Sequence, residues 1–435
     1  MTSIPLKYLI ERLFSGSWGD DQGIGEHDAR CVRVADFDRG AARCRGVIPT
    51  VRSYPREEIQ RKKLIEGDVL LESSGGGDQQ PVGFPVLWEG GGDAALCSNF
   101  VTVLRPDRNR VIPAWLAYML ENLYRTGQQI PYIKQTTGIQ NLDRQAFLRT
   151  DIVVPPLAQQ REIVRTLDRE TARVDALIDA KERMAAGLRD HWDLAVAAVL
   201  IGSDSHATQS AWLPLIGEDR TVRKVKHLAA KVGSGKTPRG GSEVYVPAGV
   251  IFLRSQNVHF DGLRLDDVVF IDDDMDREMS GTRIRPHDAL LNITGASIGR
   301  ATYVPQGMER ANVNQHVCII RPIRPEHGEF IAYALALPQV QAQIRATQVG
   351  GNRDGLNFEQ VRSLEIPVPT SQESLTRIVR EARALRRAAA ESLDAVTTTV
   401  ALLREYRRTM MTSVLAGADP RRDAGMMRHA EEVLS

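Results

Sequence analysis

One pattern appears twice in this sequence, about 215 residues apart. The stretch DIVVPPLAQQREIVRTLDRETARVDALIDAK, from Asp151, is answered by EIPVPTSQESLTRIVREARALRRAAAESLDA, from Glu365. The register also holds upstream. Leu6-Lys7-Tyr8-Leu9 echoes Val225-Lys226-His227-Leu228, and Ser15-Gly16 echoes Ser234-Gly235. Gly67-Asp68-Val69-Leu70-Leu71 echoes His287-Asp288-Ala289-Leu290-Leu291. Solenoid repeats run to roughly 20–50 residues, so a repeat this long is a duplicated domain pair. Duplication can give one chain two equivalent surfaces related by a pseudo-twofold axis. The shared positions are mostly apolar or turn residues, which maintain a fold. Between them the halves diverge, as two sites with different targets would.

At 435 residues the chain has room for two to four domains with real cores. Its net charge is +1, so a nucleic-acid surface has to be a local patch and not a global field. Cys31, Cys44, Cys97 and Cys318 show no metal-ligand spacing and read as reduced thiols. No signal-peptide pattern and no long apolar run is present, which predicts a cytoplasmic protein without a membrane partner.

Two textures alternate along the chain. Residues 1–155 and 205–369 are dense in turns, with short β-patterned runs such as Asp68-Val69-Leu70-Leu71 and Val250-Ile251-Phe252-Leu253. They predict curled, mixed sheets with flanking helices, one over 113–124 and its counterpart over 326–336. Residues 156–204 and 370–418 lack such turns. In the first, Ile163, Leu167, Val174, Leu177, Ile178, Met184 and Leu188 form an apolar stripe of helical period. In the second, Leu375, Ala382, Ala389, Val396, Leu403 and Met410 fall seven apart, a heptad seam. Each stretch follows prolines and ends at a glycine, Gly202 or Gly417, which predicts helices over 157–201 and 371–416. At about 1.5 Å per residue each would be some 65 Å long. Pairing the two seams is the simplest way to bury both, and pseudo-twofold symmetry makes that pair antiparallel. Residues 419–435 form a short charged tail. The expected fold class is α/β in the α+β sense, two mixed-sheet domains separated by two long antiparallel coiled-coil helices.

Several motifs invite catalytic readings. Ala230 to Thr237, AKVGSGKT, approaches a phosphate loop, which needs a glycine turn opening directly into a helix. Here Pro238-Arg239-Gly240-Gly241 follows, and the first-half counterpart has no lysine, so a polar loop is the better reading. Asp107 with Asp179 and Lys181 has the letters of a nuclease, but the last two fall on the predicted helix, where solvated charge is ordinary. The chain lacks the Asn/Asp-Pro-Pro-Tyr/Phe signature of base amino-methyltransferases; its Pro155-Pro156 stands between Val154 and Leu157. No catalytic residue and no metal ligand is assigned.

What remains are polar loops at matched places in both halves. One is Ser73-Ser74-Gly75, against Asn292, Thr294 and Ser297. A second is Ser98-Asn99, against Asn312, Asn314 and Gln315. A third is Lys134-Gln135-Thr136, against Asn352-Arg353. Lys236, Thr237 and Arg254 join the set in the second half. Glycine lets backbone approach a groove. Asn, Gln and Arg can pair with base edges, while Ser, Thr and Lys suit phosphates. Any one loop could be an ordinary solvated turn; their recurrence at matched positions favours a DNA-binding set.

The tandem PPLAQQREIV and PVPTSQESLTRIV segments, the Gly67-to-Leu71 signature and the Gly233-to-Pro238 opening resemble the specificity subunit of type I restriction–modification enzymes, over essentially 1–418. The resemblance implies two target-recognition domains, at 1–155 and 205–369, that read a bipartite double-stranded DNA target. It implies conserved helical regions that space them and dock two methyltransferase subunits, with motor–nuclease subunits joining the complex. It implies a chain without chemistry or cofactor of its own, S-adenosylmethionine, ATP and Mg being held by the partners. The second copy departs where Thr370 replaces a proline. The competing readings are a phosphate-loop NTPase or nuclease acting on DNA, and a recognition subunit of another multisubunit restriction system.

Overall fold

The computed structural model describes residues 2–44, 46–77, 79–91, 93–136, 138–203, 205–348 and 355–418. The chain divides into two compact units, residues 1–183 with 396–435, and residues 184–395. Each unit thus joins one sheet-bearing region to part of each long helix.

The first unit is organised around the strand Val69–Glu72, of which all four residues are buried. A continuous apolar run of this kind fits a strand covered on both faces. It pairs antiparallel with Val101–Pro106, in the register Leu70 to Val103, and with Pro85–Leu87. Ile10–Ser15 flanks the other side of Val101–Pro106. A separate sheet carries the parallel pair Ala95–Cys97 and His27–Val32, so the β structure is mixed.

The second unit repeats this plan. Ala289–Asn292, again fully buried, pairs antiparallel with Val317–Pro322 in the register Leu290 to Ile319. Ala229–Ser234 takes the place of Ile10–Ser15. The parallel pair becomes Ala311–Val313 with Val250–Leu253. The flanking helices are Pro113–Arg125 and His327–Leu335. Trp115 and Phe330, at matched positions on them, are both nearly fully buried.

The long helices span Leu157–Ile201 and Gln372–Leu415. In the first unit Ile163, Leu167 and Val174 share a core with Leu403, Tyr406, Met410 and Val414. Arg404 meets Glu182, while Arg407, further along its helix, meets Asp175, earlier on its own. That order defines antiparallel pairing. In the second unit Val196, Ala197 and Leu200 share a core with Leu375, Ile378 and Ala382.

The expected stripe on the first helix needs one correction. Its inward residues step by four and three through Leu167, Thr171, Val174, Ile178, Lys181, Ala185 and Leu188. Met184 precedes Ala185 by one position, so it is turned about 100° off the seam and is 51% exposed. Thr171 stays buried by donating its hydroxyl to the Leu167 carbonyl, 2.7 Å away. The second helix keeps its seam through Leu375, Ala382, Val396, Leu403 and Met410, all buried, with Ala389 half-buried.

Candidate nucleic-acid interface

The polar loops of the first unit are joined by hydrogen bonds between their backbones and side chains. Ser73 follows the buried strand and donates both its amide and its hydroxyl to the Phe100 carbonyl, at 2.8 and 3.0 Å. This ties the 73–77 loop to the 98–100 loop. Ser74–Gly75 then pairs with Ile139–Leu142, which forms a hairpin with Ile133–Thr136. The Ser74 hydroxyl donates to the Asn141 side-chain oxygen at 2.6 Å, and the Gln140 side-chain oxygen accepts the Val82 backbone amide. Asn99, Lys134 and Gln135 stay exposed on this assembly, with Phe100 and Ile139 about half exposed beside them. Lys134 pairs with Asp143 at 2.7 Å, and its ammonium lowers the Asp143 carboxyl from its usual value.

The second unit joins its loops by equivalent bonds. The Ile293 amide donates to the His316 carbonyl at 2.9 Å, and the Thr294 hydroxyl pairs with the His316 ring. The Leu356 amide returns to the Ile293 carbonyl, and Thr294 bridges Gly355. The Thr237 hydroxyl donates to the Gln315 side chain at 2.6 Å. Lys236, Thr237 and Gln315 face solvent; Thr294, Ser297 and Asn314 are half-buried. Asn352 and Arg353 lie outside the described residues.

Burial removes some expected contacts from this surface. Asn312 is fully buried in the strand Ala311–Val313; it accepts the Thr282 hydroxyl at 2.6 Å and donates to Asp276 and to the Met279 carbonyl. Its counterpart in the parallel pair is Leu96, so it occupies a core position and cannot reach a base edge. Ser73 and Ser98 are likewise buried and hold strands together. Asn292 is buried and donates to the Ser255 carbonyl and the Ser297 hydroxyl, while its own amide oxygen has no protein partner. Arg254 is held by Asp267. Gly75 adopts φ 121°, which lets its short strand leave the central one.

Other residues on these faces escaped notice in the sequence. Arg39 donates to the buried Glu72 carboxylate at 2.7 Å and lies over the Phe84 ring. Burial raises the Glu72 carboxyl above its usual value, against the pull of Arg39. Both line an open cleft of about 1100 Å³ with Gln79 and Gln80. Trp18, 42% exposed, carries Arg52 over its ring at 4.8 Å. A triple glycine before Gln79-Gln80, and a lone tryptophan in SGSWG, were the available signals.

The lysine of the apparent phosphate loop follows a strand, Ala229–Ser234, not a turn into an α-helix. Gly235 is there because a Cβ would meet the Val313 carbonyl oxygen at 1.8 Å; at Gly16 it would meet the Ser98 oxygen at 2.1 Å. The repeated Ser-Gly is a close backbone approach next to the polar loops.

The profile of the type I restriction modification DNA specificity domain matches this sequence twice, over residues 59–182 and 277–405. The chain belongs to that family. It is 26% identical over 118 residues to the MjaX type I restriction enzyme specificity subunit of Methanocaldococcus jannaschii, a match covering 27% of each chain. It is 27% identical over 161 residues to the StySPI type I restriction enzyme specificity subunit of Salmonella potsdam, covering 36% of this chain and 33% of that one. The matches thus span about a third or less of these curated relatives. A solved structure from work on complex assembly and conformational transition of the type I R-M system aligns over 95% of this chain and 97% of its own, with a TM-score of 0.66 and 15% identity. That likeness shows the fold. In this specificity-family chain both profile matches run from the sheet-bearing region into a long helix, so the repeating unit includes both.

Proposed function

We propose that this chain is the DNA-reading subunit of a type I restriction–modification complex. Each unit reads one half-site of a bipartite double-stranded target, and the long helices set the gap and dock two methyltransferase subunits. The chain performs no chemistry. S-adenosylmethionine, ATP and Mg belong to those subunits and to the motor–nuclease subunits, and the assembly works in the cytoplasm. One observation supports this reading: three polar loops of the first unit, and the described parts of their counterparts in the second, are hydrogen-bonded together beside the matching buried strands. A surface with several fixed donors and acceptors is what direct base readout requires. In this reading Asn99, Gln135, Gln315 and Thr237 contact bases, and Lys134 and Lys236 contact phosphates. The test is selection of bound duplexes from a random library by the chain assembled with its methyltransferase subunits. Two short conserved blocks at a fixed gap are expected; one contiguous block would sink the two-reader account.

A further inference from the structure

The second unit holds a basic pocket at the end of its sheet away from the readout loops. Ala229–Ser234 begins beside His227 and Leu228 and ends at Gly235; Val317–Pro322, its partner, begins near Gln315 and ends before Ile323 and Arg324. Six residues of strand, about 20 Å, separate the two ends. At the far end lies a pocket of about 360 Å³ whose polar lining includes Arg223, His227, Arg324, His327, Thr370 and Ser371. No carboxylate is among its lining residues. A second cleft of about 520 Å³ shares Arg223 and His227 and adds Lys224 and Lys226, with Glu365 at its edge. Glu365 already accepts the Ser210 hydroxyl at 2.5 Å. Among the described residues, the side chains of Arg223, Lys224, Lys226 and Arg324 are in no ion pair. The 44-residue helix Gln372–Leu415 starts at this pocket, and its first backbone amides add partial positive charge. Burial lowers the His327 imidazole from its usual value, Arg324 acting in the same sense and Glu326 against it.

The duplicated unit supplies an internal control. Strand register equates Thr2 with Thr221 and Ile4 with Arg223. The bonds from Asp107 to the Leu9 carbonyl and from Ile323 to the Leu228 carbonyl, both 2.8 Å, equate those residues, and so Tyr8 with His227 and Val111 with His327. Arg108, matching Arg324, is spent on the Glu66 carbonyl. At this place in the fold the first unit has Ile4, Tyr8 and Val111 where the second has Arg223, His227 and His327. Folding does not demand the charge. Two guanidiniums outside any ion pair, Arg223 and Arg324, share this concavity with two imidazoles, and an anion between them relieves their repulsion.

We propose that this pocket binds a small anion bearing phosphate groups, in one copy per chain, separately from the DNA-reading surfaces. Its volume of about 360 Å³ falls in the lower range of ligand pockets, roughly 300–1,000 Å³, the size of a small phosphate-bearing group. The test uses pyrophosphate as the probe and calorimetry on the full chain. One saturable site is expected. Arg223→Gln and Arg324→Gln are each expected to weaken it at least tenfold without moving the thermal midpoint, since both side chains are exposed. Arg108→Gln, at the place of Arg324 in the first unit, is expected to leave it unchanged. Absence of saturable binding, or equal binding by all variants, overturns the proposal. Displacement of pyrophosphate by a random-sequence duplex also overturns it, since the site would then hold nucleic-acid backbone.

Discussion

Arg105 grips the buried Asp68 carboxylate with two hydrogen bonds of 2.8 Å, and Arg321 holds Asp288 in the same way at 2.8 and 2.7 Å. Each aspartate also accepts a backbone amide three residues upstream, from Ile65 or Arg285. Each pair locks the entry to a buried strand that runs into one of the polar loops. Removing one partner of a buried ion pair costs about 3–5 kcal/mol. With each guanidinium partly solvated, Asp68→Ala and Asp288→Ala are expected near the low end. Urea unfolding measures this; a loss below about 1 kcal/mol, as for a surface pair, would count against the lock.

The two glycines of the Ser-Gly repeat give a sharper test of the phosphate-loop idea. Gly16→Ala and Gly235→Ala drive a methyl into backbone oxygens, and overpacking of this kind costs about 1–3 kcal/mol or more. Gly233→Ala meets nothing closer than the Lys231 side chain at 3.8 Å and is expected to be mild. Lys236→Ala, on an exposed side chain, is expected to leave stability and any ATP-driven step of the assembled complex unchanged. Nucleotide hydrolysis by the isolated chain that this change abolished would restore the phosphate-loop reading.

Glu72 predicts a pH dependence. Burial raises its carboxyl in the folded chain, so the unfolded chain loses this proton first as pH rises. Stability from the group is fully present below the unfolded value of about 4.3 and is lost as pH rises through the folded one. The stability of Glu72→Gln relative to the native chain is therefore expected to improve as pH rises from the unfolded value of about 4.3 through the higher folded one. Parallel urea titrations that show a constant difference would refute the assignment.

On the helix pair, Arg407 and Arg404 are predicted to differ sharply. Arg407 is 4% exposed and bonds the buried Glu121 at 2.7 Å and Asp175 at 2.8 Å. Arg407→Ala leaves the buried Glu121 with the partly exposed Arg125 as its remaining ion-pair partner, so the cost is expected at the low end of the about 3–5 kcal/mol for breaking a buried pair. Arg404 and its partner Glu182 are exposed, and Arg404→Ala is expected to cost under about 1 kcal/mol. Thermal melts of the two variants decide it.

The readout surfaces predict separable specificity. Asn99→Ala and Gln135→Ala are expected to relax one half-site, and Gln315→Ala the other. A lost bidentate base contact costs about 1–3 kcal/mol at one base position, while a lost phosphate contact weakens all sequences alike. Sequencing methylated sites in cells carrying each variant reads this out. Changes in both half-sites from a single first-unit substitution would defeat the division of labour.

The sequence by itself determined the duplication, both long helices and the buried strands, because each is written in local periodicity: seven-residue spacing along 375–410, and unbroken apolar runs at 69–71 and 289–291. It also placed the loops that carry the candidate site, because Gly, Ser and Asn mark turns whatever surrounds them. Only the tertiary structure decided which of those polar residues face outward. Asn312 and Asn99 look alike in sequence, yet one fills a core position paired to Asp276 and the other is exposed. Met184 fits a helical stripe but misses a seam fixed by the opposing helix. The basic pocket was invisible for the same reason: Arg223, His227, Arg324 and His327 are spread over some hundred residues and meet only where two strand ends and a helix start come together. Local patterning fixes what an element is. Which of its side chains water reaches, and which charges become neighbours, depends on contacts between residues far apart in the chain.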